Sequence, residues 1–293
     1  MFIGISFILS APQYGYTGLY LNHIYGLKKF VVTERKMKLS LGIFQSEMRD
    51  ETPLEKISRL ETHLSKTGNL DLVVCPELFI SGYGSSININ KYSETSDGEF
   101  AKKISNLAKK FSTAIIYGYP EIDNNQLFNS AQLFSNDGLS IANHRKKLLP
   151  PTAEESKIFT PGKKSSIFSI KGIKSAIVIC YELEFPELIR ELALQGVELI
   201  ITPTGQSSLW PAAALHNCRT RAFENGIFIA YANSTGDLNG ISFMGESKII
   251  GPDGLDLANA NIGEKLIAAE IDTDQISLVR DKLPYLNDST SLQ

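Results

Sequence analysis

The sequence predicts an α/β protein with a mixed sheet, most simply two sheets with helices outside. Short apolar runs rich in β-branched residues alternate with amphipathic helical patterns, and paired strands closed by glycine-containing turns fall between those alternations. No linker or low-complexity stretch divides residues 37–281. A chain of 293 residues that is 43% hydrophobic and 21% charged has enough apolar material for one large core or two small ones.

Residues 1–36 stand apart, with seven aromatics, no aspartate and the charged ending Glu34-Arg35-Lys36. The apolar segment at 2–9 is too short to span a bilayer and has no basic residue before it. Met37 opens M-K-L-S-L-G-I-F-Q, an alternating strand pattern, so residues 1–36 are expected to be an N-terminal extension that the fold does not need. After the strand at 39–45, residues 53–64 read as a helix with Leu54, Ile57, Leu60 and Leu64 on one stripe. A strand at 70–75 runs into Pro76-Glu77-Leu78. A helix over 98–111 follows, then a strand at 114–117 ending at Gly118. Strands at 127–134 and 139–143 pair across Asn136-Asp137-Gly138. Further strands are expected at 166–170 and 174–179, a helix from Pro186 to Gly196, and a strand at 199–202. A helix over 211–225 closed by Gly226, a strand at 227–233, a hairpin at Pro252-Asp253-Gly254 and a strand at 265–271 complete the domain. The polar tail, residues 282–293, is expected to fray.

Composition excludes several function classes. A net charge of −3 gives no electrostatic case for nucleic acid or an anionic membrane as partner. Cys75, Cys180 and Cys218 are widely spaced and form no C-x-x-C pair, and His23, His63, His144 and His216 are scattered without H-E-x-x-H. A disulfide framework, a metal site or a cofactor is therefore not expected, and a reducing cytoplasm is the expected location.

The chemistry is expected where buried strands end. Cys180 comes where the apolar run 176–179 stops, just before the helix that starts at Pro186. A cysteine there is either a small buried hydrophobe or a nucleophile fixed by the strand, with backbone N–H groups nearby to receive an oxyanion. Glu77 follows the strand at 70–75 in the same way, and Lys146 follows the strand at 139–143 within His144-Arg145-Lys146-Lys147.

The three segments together resemble the nitrilase superfamily, the carbon-nitrogen hydrolases, over roughly residues 38–271. P-E-L-F-I-S-G-Y carries Glu77 and ends at Tyr83. H-R-K-K-L-L resembles the family's Y-R-K-x-H-L and places its lysine at Lys146, with His144 for the tyrosine and Leu148 for the histidine. I-C-Y-E-L-E-F-P-E resembles C-Y-D-x-x-F-P-E and places its cysteine at Cys180. Glu155, counted back from Phe159 and Pro161-Gly162, matches the second glutamate; R-A-F-E-N-G-I-F-I-A-Y-A-N and G-E-S-K-I-I-G-P-D-G are supporting blocks.

The resemblance implies a four-layer α-β-β-α sandwich with two mixed β-sheets, assembled as a homodimer or larger homo-oligomer. It implies that Cys180 attacks an amide carbonyl, that Glu77 is the general base and then acid, and that Lys146 and the Tyr181 backbone N–H hold the oxyanion. Glu155 would orient substrate and lysine; Tyr83, Tyr181 and Glu184 are the expected substrate contacts. Relatives acting on N-carbamoyl amino acids often carry arginines where this chain has Leu183 and Glu184, so the expected small-molecule substrate is a neutral or cationic short amide. An N-carbamoyl-amide hydrolase is the alternative. A nitrilase, for which Tyr181 stands where tryptophan is usual, and a non-catalytic scaffold come after it.

Overall fold

The structure, a computed structural model, describes residues 10–11, 16–20, 30–33, 36–151 and 155–291. It comprises two compact units, Met1–Met37 and Lys38–Gln293. In the first, β1 (Ser10–Ala11), β2 (Tyr16–Tyr20) and β3 (Phe30–Thr33) form an antiparallel sheet. The apolar segment at 2–9 lies outside the described residues.

The second unit carries two six-stranded mixed sheets. One holds β4 (Lys38–Gln45), β5 (Leu72–Val74), β6 (Ala114–Asp123), β7 (Gln126–Phe134), β8 (Ser140–Arg145) and, beside β4, the late strand β17 (Lys265–Asp272). The other holds β9 (Ser166–Ile170), β10 (Ile173–Ile177), β11 (Leu199–Pro203), β12 (Phe228–Ala232), β15 (Lys248–Ile250) and β16 (Asp256–Asn259). A separate hairpin joins β13 (Thr235–Leu238) to β14 (Ile241–Met244). The runs β4-β5-β6 and β10-β11-β12 are parallel and the flanking pairs antiparallel. Parallel neighbours need crossovers. These contain α1 (Pro53–Lys66), α2 (Ser86–Tyr92) with α3 (Glu99–Phe111), α5 (Pro186–Leu194) and α6 (Cys218–Asn225). The short α4 (Glu155–Ile158) precedes β9, and α7 (Asp274–Lys282) and α8 (Tyr285–Thr290) end the chain.

Each sheet buries one face against its own helices, giving the α-β-β-α order. Ile57, Leu60, Ile104 and Leu107 pack on Val73 and Ile115 in one core; Ile189, Leu192 and Ala222 pack on Ile200 and Ile229 in the other. Helix α1 starts on a capping box, in which Thr52 Oγ1 accepts from Glu55 N and the Glu55 carboxylate accepts from Thr52 N. Gly226 ends α6 with φ +57°, the left-handed stop read in the sequence.

Four details differ from the sequence reading. Leu54 is 47% exposed and the buried stripe of α1 takes in Lys56 instead, because the apolar face is turned slightly toward Pro53. Strand β6 continues through Gly118, whose lack of a side chain admits another backbone rather than ending the strand. Helix α2 arises from a polar sequence, with Ser85 as its cap and Ile89 as its buried anchor. The tail forms α8, fixed by Leu286 against the second core and by an edge-to-face contact of Tyr285 with Phe223.

Candidate active site

The predicted reactive residues converge where strands of the two sheets end. Glu77 lies just beyond β5, Lys146 immediately beyond β8, and Cys180 on a 3₁₀ turn, Cys180–Glu184, just beyond β10. Two of these exits bend through left-handed backbone at residues other than glycine: Leu78 has φ +47° and Cys180 φ +49°. Such a conformation costs about 1–3 kcal/mol and persists only where the surroundings impose it. Here the surroundings include Gly118, where an added Cβ would lie 2.5 Å from Leu78 N and 2.6 Å from Pro76 O. The turn holding Glu77 thus rests on the bare backbone of β6.

Lys146 Nζ donates to Glu77 Oε1 at 2.6 Å and to both oxygens of Glu155 at 2.9 Å. Glu77 also accepts from Asn129 Nδ2 at 2.7 Å and from Gly205 N at 2.9 Å. Glu155 also accepts from the Tyr83 hydroxyl and, at 3.3 Å, from Asn129 Nδ2. Every one of these contacts comes from a donor, so both groups sit as carboxylates and the three charges sum to −1.

The environment moves the titrations apart. Burial pushes Glu77 above the usual carboxylate range despite the pull of Lys146. Burial alone would lower Lys146, but Glu77 and Glu155 hold its ammonium above the usual lysine value. Burial and the Glu77 charge push the Cys180 thiol well up, against Lys146 and the Gly205 N–H, which favour the thiolate. A thiolate would add a second net negative charge to an enclosed site. Cys180 therefore rests as a thiol beside a carboxylate able to take its proton. It keeps partial exposure, whereas Cys75 and Cys218 are fully enclosed.

The expected substrate contacts divide. Tyr83 joins the cluster through its hydroxyl, and its ring packs edge-on against Phe243. The Tyr181 ring packs edge-on against Phe185. Glu184 is half-buried within the fields of Lys146 and Arg221, and burial raises its carboxyl. Sequence reasoning missed Asn129, Gly205 and Glu182. Asn129 had no distinguishing signal, being one of several polar residues of its strand beside Ser130 and Gln132, and Gly205 had a weak one as a glycine two residues past β11. Glu182, wholly buried within the Cys180–Glu184 turn, had none beyond its place in the cysteine motif. Among the described residues no group of three His, Cys, Asp or Glu is placed to hold a metal ion, and no helix is long and apolar enough to cross a membrane.

Residues 41–281 match the carbon-nitrogen hydrolase family, and the chain belongs to that family. It is 34% identical over 253 residues to a hydrolase encoded in the pqqF 5′ region of Pseudomonas protegens, covering 85% of this chain and 88% of the relative. It is 30% identical over 259 residues to the 2-oxoglutaramate amidase of Bacillus subtilis, covering 86% and 98%. Among solved structures it is similar to Nit3 of Saccharomyces cerevisiae, a member of branch 10 of the nitrilase superfamily. That match has a TM-score of 0.77 at 28% identity, covering 85% of this chain and 95% of the other.

Proposed function

We propose that the protein is an amidase that cleaves the C–N bond of a small neutral or cationic amide through a Cys180 thioester. The observation that carries this reading is the sealed Glu77–Lys146–Glu155 cluster beside Cys180, a partly exposed residue at a strand exit. Glu77 takes the thiol proton as sulfur adds to the carbonyl carbon. The resulting oxyanion is held by the Lys146 ammonium and the Tyr181 N–H. Collapse breaks the C–N bond, and Glu77 returns the proton to the departing ammonia or amine. A water then loses its proton to Glu77 and adds to the thioester; the C–S bond breaks, releasing the acid and restoring the thiol. Glu155 orients Lys146 throughout.

Charge supports the substrate class. Glu77, Glu155 and Glu184 outnumber Lys146, and Arg221 is engaged by the Leu183 and Glu184 carbonyls and by Glu224. An anionic substrate would meet net repulsion. The test is ammonia release from aliphatic amides, amino acid amides, carbamoyl amino acids and nitriles, with wild type beside Cys180→Ala. Turnover of neutral or cationic amides that vanishes in the variant is expected. A preference for 2-oxoglutaramate, the substrate in the Bacillus relative's name, or for carbamoyl amino acids would overturn the charge argument. An active Cys180→Ala would overturn the mechanism.

A further inference from the structure

We infer that Glu182 and His144 form a positioning pair that fixes the nucleophile's turn against the strand exit bearing Lys146. The Glu182 carboxylate is wholly buried, yet none of its partners belongs to the Glu77–Lys146–Glu155 cluster. It accepts from Ile179 N at 2.6 Å, one residue before Cys180. It accepts from Lys147 N at 2.9 Å, one residue after Lys146. Its third partner is His144 Nε2 at 2.8 Å, two residues before Lys146. One side chain thus ties the backbone beside the thiol, on one sheet, to the Lys147 backbone and the His144 side chain, which flank the lysine on the other.

Although burial opposes it, His144 and the two backbone N–H groups hold the Glu182 carboxyl below the usual carboxylate range, so it serves as an anion that only accepts. The His144 contact must therefore be an N–H as well, because a carboxylate has no hydrogen to offer. Among the described residues the buried His144 Nδ1 atom has no partner, and Glu182 is the imidazole's one polar anchor there. His144 and Glu182 are also positions at which this chain's motifs read differently from the family's tyrosine and aspartate. A glutamine at 182 would turn its amide N–H₂ toward one of the two backbone donors whichever way it faced. The turn or the strand end would then be released by fractions of an ångström, on the scale that separates a productive from an unproductive approach.

The inference rests on the reading of Cys180 as nucleophile with Lys146 as its cation, and the test keeps the two separable. The rate of Cys180 alkylation by iodoacetamide at neutral pH needs no knowledge of the amide, and kcat and KM are measured on the best amide of the panel. Wild-type Cys180 that does not alkylate overturns the nucleophile reading and this inference with it. With a reactive wild type, Glu182→Gln is expected to slow alkylation and lower kcat together, each by about tenfold to a hundredfold, with KM within about twofold. Wild-type alkylation and kcat in folded Glu182→Gln overturn the positioning role, as does a loss of activity that only follows the folded fraction. Should that variant not fold, His144→Gln and His144→Phe decide. Glutamine keeps an N–H at the place of Nε2 and phenylalanine does not, so Gln near wild type with Phe impaired is expected. Equal activity in the two overturns the pair.

Discussion

Lys146 donates to Glu77 at 2.6 Å with both side chains wholly withdrawn from water. Desolvating such a pair consumes most or all of its Coulomb attraction, so the contact is poor evidence for a stabilising role. Its cost is comprehensible if the lysine must present a fixed positive charge where an oxyanion develops. The two carboxylates prevent Lys146 from losing its proton, and Lys146 in turn lets Glu77 stay ionised although burial disfavours it. The Glu77 carboxylate and the Lys146 ammonium are each maintained by the other.

Only one of the three thiols should react. Burial raises all three, but Cys75 and Cys218 offer no surface, whereas Cys180 is partly exposed and has the Lys146 charge and the Gly205 N–H favouring its thiolate. Brief treatment with iodoacetamide at neutral pH, read by peptide mass spectrometry, should modify Cys180 first and abolish ammonia release in proportion. Modification of Cys75 or Cys218 at a comparable rate, with activity retained, would contradict the assignment.

The pH profile should carry the signature of Glu77. Accepting a proton requires the carboxylate, so kcat/KM falls as pH drops through its pKa, and burial places that acid limb above the ordinary value of about 4.3. Asn129 donates a hydrogen bond that favours the ionised form. Asn129→Leu should therefore move the limb to higher pH, whereas Glu77→Gln should lower kcat by about 10²- to 10⁴-fold at every pH. An acid limb that stays in place in Asn129→Leu would show that Glu77 is not the titrating base.

Much of this candidate site was legible in the chain because its residues follow recognisable strands: Glu77 and Cys180 lie just beyond apolar runs, and Lys146 just beyond a strand that follows an Asn-Asp-Gly turn. The residues that hold them were not. Asn129 reaches Glu77 across 52 residues of sequence and Gly205 reaches it across 128, and no local pattern records an approach between chains that distant. Gly118 read as a strand end because a glycine that interrupts an apolar run looks the same whether it stops a strand or admits a neighbour. Leu54 illustrates the same limit for packing, since spacing fixes which residues share a face but not how that face is turned to the core.

Gly205 should tolerate no side chain without loss of rate. A Cβ there would lie 3.1 and 3.2 Å from carbons of the Tyr83 ring and 3.3 Å from Glu77 Oε2. Gly205→Ala should destabilise the fold by about 1–2 kcal/mol and lower kcat by about tenfold to a hundredfold, because both displaced groups belong to the cluster. Gly68→Ala, where nothing lies within 4 Å of the new methyl group, is the control and should match wild type in kcat. Thermal melts beside steady-state kinetics check both, and a Gly205→Ala enzyme with wild-type kcat would refute the crowding argument.

Lys56 offers a test of stability away from the chemistry. It is 3% exposed, with its ammonium 5.9 Å from the centre of the Phe79 ring, and burial lowers it from 10.5 to about 8 even though Glu51 pulls the other way. Below pH 8 the folded and unfolded chains both carry the proton, so the fold bears the whole cost of the buried charge. Between pH 8 and 10.5 the folded chain sheds the proton while the unfolded chain still binds it, and stability from this group rises with pH. Methionine matches lysine's shape without its charge. Lys56→Met should therefore stabilise the protein by roughly 3 kcal/mol at pH 7, a gain that shrinks progressively from pH 8 and is gone near 10.5. Denaturant melts of both proteins at pH 7, 9 and about 10.5 measure the difference directly, and a gain that does not change with pH would mean that Lys56 is not desolvated as its burial indicates.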